Sequence, residues 1–115
     1  MSIYDSAHAL ARDISQSEEA RDAQRLKEIA EEDQTNRALL HEMKRLQMAL
    51  QMQAMGGEAV SPEDMQRFAQ INSLLYLNED VKAYLLAEMR LQQILADVFR
   101  IISEAGGISL DMLKA

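Results

Sequence analysis

From Ile3 onward the apolar residues Ile3, Ala7, Leu10 and Ile14 recur at steps of four, three and four. One face of an α-helix repeats in that way, so the spacing predicts a first helix over residues 3–15. Ser17 with Glu18 and Glu19 reads as an N-cap followed by acids that favour the positive end of the helix dipole, and a second helix then covers 17–32. Asp33 offers the next cap. Leu39, Met43, Leu46 and Leu50 form a stripe that carries a third helix over 34–55. Gly56 and Gly57 stop it, because glycine enters the left-handed conformation that closes a helix without a Cβ clash.

Ser61, Pro62, Glu63 and Asp64 combine a cap, a first-turn proline and two acids, the start signal of a fourth helix over 62–77 after a Gly-containing loop at 56–61. Met65, Phe68, Ala69, Asn72 and Leu75 share one of its sides. Asn78 interrupts the pattern as a break or a kink, and Glu79 and Asp80 fall in the first turn of a fifth helix over 79–105. There Tyr84, Leu91, Leu95, Val98, Ile102 and Ala105 keep a seven-residue rhythm, widened by Ala87, Ile94 and Ile101. Gly106 and Gly107 end it. At 1.5 Å per residue such a helix is about 40 Å long, against a radius of gyration near 13 Å for a compact chain of this size.

A single chain leaves part of that seam bare. The expected architecture is therefore all-α: one domain over 1–115, an elongated antiparallel bundle of about five helices with a long C-terminal helix, dimerising through apolar faces. Leu46, Leu50, Tyr84, Leu91, Leu95, Val98 and Ile102 are the expected oligomer or partner interface. Met48, Met52 and Met55, interleaved with glutamines, are expected to serve core or oligomer packing, with an adaptable binding surface as the alternative, since thioether side chains repack easily. The apolar tail at 106–115, with Ile108, Leu110, Met112 and Leu113, is expected to dock on its own or a neighbouring chain.

Composition narrows the function classes. Apolar residues make up 48% of the chain but aromatics only 4%, which supplies helices better than a sheet. There is no cysteine, so the chain offers neither a disulfide nor a thiolate metal or iron–sulfur site. His8 and His41 are the two histidines, and His41-Glu42-Met43-Lys44-Arg45 lacks the second histidine of a helical zinc motif. No nucleophile elbow or phosphate-binding glycine loop is present, so no catalytic, cofactor or metal residue is assigned.

The formal net charge of −7 opposes a dominant contact with nucleic acid or an anionic membrane. Arg21, Arg25, Lys27, Arg37, Lys44 and Arg45 lie among acids as a solvated face. Glu88 falls on the fifth helix's seam, at an edge with solvent access or as a residue that fixes register with a partner. Without a basic leader or a membrane-length apolar run in the sequence, a cytoplasmic protein is expected.

Ile3-Tyr4-Asp5-Ser6-Ala7 with Leu10, the pairs Leu46-Gln47 and Leu50-Gln51 running into Met55-Gly56, and Tyr84-Leu85-Leu86-Ala87-Glu88 leading to Leu91 together resemble the bacterial YlbF/YmcA family. The likeness spans nearly the whole chain and is greatest for the short, cysteine-free YheA-like branch. The resemblance implies an all-helical, self-associating regulator that works in protein complexes affecting competence, biofilm formation and sporulation. In some members it further implies a link to RNA maturation through an endoribonuclease, and iron–sulfur clusters on cysteines that this chain lacks. The leading expectation is a non-enzymatic adaptor whose partners are itself, other family members or an RNA-processing protein. The alternatives are an RNA-processing accessory that touches RNA directly and a chaperone-like holdase suggested by the Met-rich and Gln-rich end of the third helix.

Overall fold

Helices begin here where a side chain satisfies amides that have no partner inside the helix. Ser2 and Asp5 form a reciprocal capping box at the start of α1 (Ile3–Ser15), Ser17 accepts from the Ala20 amide before α2 (Glu18–Ala30), and Asp33 accepts from the Asn36 amide before α3 (Gln34–Met55). Ser61 caps α4 (Pro62–Leu75), and Asn78 accepts from the Val81 amide at the head of α5 (Glu79–Ala105). These residues belong to a computed structural model that describes residues 2–107. The expected apolar tail, with Ile108, Leu110, Met112 and Leu113, lies outside the described residues.

The helices follow the sequence pattern with small shifts. Glu31 and Glu32 fall in the turn after α2, and Tyr76 and Leu77 in the turn after α4. The interruption at Asn78 is a true break, because its side chain opens a new helix instead of continuing the old one. After α3, the Gly57 amide donates to the Ala54 carbonyl and the Glu58 amide to the Gln53 carbonyl, with Gly57 at φ +74°. That pairing closes the free carbonyls of the last turn and requires a left-handed residue at Gly57.

Within the stretch 1–115 that the sequence reading takes as one domain, contacts gather into two compact units: Gln24–Leu85, and the residues up to Ala23 with those from Leu86 onward. The Gln24–Leu85 unit holds the packed core. Leu40, Met43 and Leu46 of α3 meet Ile71 and Leu75 of α4 and Val81, Tyr84 and Leu85 of α5, with Ala30 at the end of α2. Leu40, Ile71, Leu75 and Val81 are closed off almost completely, and each such side chain contributes about 1.5–3 kcal/mol. The buried side of α4 thus runs through Phe68, Ile71, Asn72 and Leu75, whereas Met65 and Ala69, expected on that side, face solvent.

The other unit is packed more thinly. No residue of α1 is buried; Leu10 and Ile14 are half covered, and Ile3 and Tyr4 are open. Ala23, Ala87 and Ser103 are its buried residues among those described.

Candidate functional site

Two surfaces, one in each unit, expose apolar side chains that an isolated chain would ordinarily hide. Exposed hydrophobic residues become informative when they are contiguous and share one face of an element. On α5, Leu95, Phe99 and Ile102 follow at steps of four and three with 45%, 50% and 56% exposure, and Leu91 and Val98 beside them are half buried. One side of the C-terminal half of α5 is therefore an unpartnered apolar stripe, at the spacing by which helices anchor in grooves. Glu88, half buried one turn before Leu91, accepts a hydrogen bond of 3.4 Å from the Gln92 side-chain amide.

The second surface is an open groove of about 690 Å³ in the Gln24–Leu85 unit, floored by Leu39, Ala69, Ile71, Leu74 and Leu77 and edged by Gln66, Arg67, Gln70 and Ser73. Leu74 and Leu77 are 55% and 80% exposed. Arg67 stands at the end away from Leu77 and reaches Glu42 only through its field, because that carboxylate is held by Arg45 in a two-pronged pair of 2.7 and 3.1 Å. The hydrogen bonds to the Arg45 guanidinium lower the Glu42 carboxyl below its ordinary pKa, and the same contacts raise Arg45.

The residues expected at an interface separate into three sets. Leu46 and Tyr84 are enclosed in the chain's own core, Tyr84 with its hydroxyl bonded to Lys44. Leu50, Leu91 and Val98 are half buried, and Leu95 and Ile102 are exposed. Met48, Met52 and Met55 form an open row on α3. Beside that row, the Gln53 carboxamide oxygen accepts from the Ser61 amide at 2.9 Å and its nitrogen donates to Asp64 at 3.3 Å, which fastens the α3–α4 turn.

The sequence reading missed the α3–α4 groove and Phe99. Leu74 and Leu77 recur at a helical step beside the assigned face of α4, and Phe99 sits four residues past Leu95, so the signal was present as a second apolar row. Among the described residues no group of three or more His, Asp or Glu is placed to hold a metal ion, and no helix is long and apolar enough to cross a membrane.

The family described as "Control of competence regulator ComK, YlbF/YmcA" matches residues 3–105. This chain belongs to the YlbF/YmcA family. Relatives in that range are UPF0342 proteins, one of Caldicellulosiruptor saccharolyticus at 32% identity, covering 96% of this chain and 92% of the relative. Another, of Halothermothrix orenii, is 31% identical over 99% of this chain and 95% of its own length. Among solved structures, a protein of unknown function (DUF964) from Bacillus stearothermophilus superposes with a TM-score of 0.74 at 21% identity, covering 90% of both chains. Bacillus subtilis RicA, solved in complex with RicF, gives 0.59 at 24% identity, covering 91% of this chain and 93% of that one. At these identities the two structures establish the shared all-helical fold alone, and the RicA–RicF pairing describes RicA.

Proposed function

We propose that this YlbF/YmcA member is a non-enzymatic cytoplasmic adaptor that works by assembling with other helical chains, in the first instance with a second copy of itself. The observation that carries the reading is the bare Leu95–Phe99–Ile102 row on α5, with Leu91 and Val98 as partly covered members of the same stripe. Burying four or so such side chains contributes enough to offset much of the cost of association. The partnership of RicA with RicF supports the wider reading, in which other family members serve as further partners and the assembly has a regulatory role in competence, biofilm formation, sporulation or RNA maturation.

Sedimentation equilibrium of the purified chain tests this directly. A mass near twice 13.0 kDa is expected, falling to a single chain in Leu95→Asp with helicity intact. A monomer at tens of micromolar (~10⁻⁵ M, association weaker than about −7 kcal/mol) would remove self-association.

A further inference from the structure

The α5 row and the α3–α4 groove carry matching chemistry, although they lie in different units of the chain. Along α4 and the turn after it, a cation precedes the apolar floor: Arg67, then Ile71 and Leu74, then Leu77. Along α5, an anion precedes the apolar row: Glu88, then Leu91 and Leu95, then Phe99 and Ile102. Arg67 lies seven residues before Leu74, and Glu88 lies seven before Leu95. On helices both steps span about 10 Å, so one register sets opposite charges together at one end and apolar groups together at the other.

We propose that the α3–α4 groove receives α5 of a second copy, with Glu88 of the incoming helix at Arg67, Leu95 at Leu74 and Phe99 at Leu77. This rests on the self-associating reading above and names the surface on which it occurs. The incoming α5 runs in the same direction as α4. We take the contact to be reciprocal, each copy lending its row to the groove of the other. A pairing of α5 with α5 is the competing arrangement, and it makes no use of the groove.

A complementation experiment separates the two. Leu77→Asp alters the groove at a side chain that is 80% exposed, and Leu95→Asp alters the row at one that is 45% exposed, so neither change enters the core. Each variant alone is expected to sediment as a single chain with unchanged helical circular dichroism. An equimolar mixture restores pairs, because one groove and one row stay intact between unlike partners. If Leu77→Asp keeps the parent mass while Leu95→Asp loses it, the groove assignment falls and self-association through α5 stands. Loss of pairs in both variants without recovery at the highest concentration of the mixture also overturns the groove assignment. If neither variant dissociates, both the assignment and the choice of α5 as the associating face fail. The charges give an independent check: Arg67→Glu or Glu88→Arg should weaken pairing by about tenfold, and the double reversal should recover it. A double variant no tighter than the single ones contradicts the register.

Discussion

The Lys44 ammonium donates a 2.8 Å hydrogen bond to the Tyr84 hydroxyl and lies 5.4 Å from the centre of its ring, joining α3 to the first turns of α5 across forty positions of sequence. Tyr84 is only 2% exposed, so its hydroxyl needs a partner within the fold, and the half-buried Lys44 supplies one along an apolar stem. Tyr84→Phe keeps the ring and removes the acceptor, and urea unfolding should show a loss of about 1 kcal/mol. Tyr84→Ala should cost about 3–5 kcal/mol by leaving a cavity. Equal midpoints for the phenylalanine variant and the parent would mean that the bond adds no net stability.

Neighbouring leucine and isoleucine positions on α4 and its following turn should respond very differently to truncation. Ile71 is 1% exposed and Leu77 is 80% exposed. Ile71→Ala is expected to lose about 2–5 kcal/mol in denaturant unfolding. Leu77→Ala should stay within about 0.5 kcal/mol when measured at concentrations too low for pairing.

The turn after α3 isolates a purely conformational effect. A Cβ built on Gly57 meets nothing within 4 Å, but its φ of +74° lies in the left-handed region. Gly57→Ala should therefore lower stability by about 1–2 kcal/mol without a steric clash. Gly57→Asn should cost less, since asparagine tolerates that conformation. An alanine variant as stable as the parent in thermal unfolding would show that the turn relaxes freely.

Acid sensitivity at Glu42 follows from its pairing with Arg45. Because the hydrogen bonds from Arg45 depress the folded-state pKa, the pair's contribution is whole at neutral pH and is lost as pH falls below the ordinary glutamate value through the lowered one. Carboxyl chemical shifts should place the Glu42 midpoint below the ordinary glutamate value in the parent and higher in Arg45→Met. The effect on stability is small, as the Arg45 side chain faces solvent and Glu42 is partly open to it. A midpoint unmoved by the arginine substitution would contradict the assigned cause.

Helix positions were legible because their ends carry local chemistry. Ser17, Asp33 and Ser61 announce starts that depend on one side chain and one amide, and Gly57 announces a stop that depends on one dihedral angle. The buried faces were less legible. On α3 the stripe through Leu39, Met43 and Leu46 omits Leu40, and on α4 the chosen side omits Ile71, because two overlapping apolar rows occur on each helix. Periodicity identifies such rows without ranking them; which one is enclosed depends on the helices that pack against it. Tyr84 shows the same limit. The seven-residue rhythm assigns it to one seam with Leu91 and Leu95, yet the fold encloses Tyr84 and leaves Leu95 half open.

The methionine row on α3 makes this surface chemically self-reporting. Met48, Met52 and Met55, at 64%, 69% and 87% exposure, are open to mild peroxide, which adds one oxygen to each thioether. Any chain that settles over them would slow that uptake, so peptide-mass footprinting can trace the outline of a complex without a dye, a tag or an engineered cysteine.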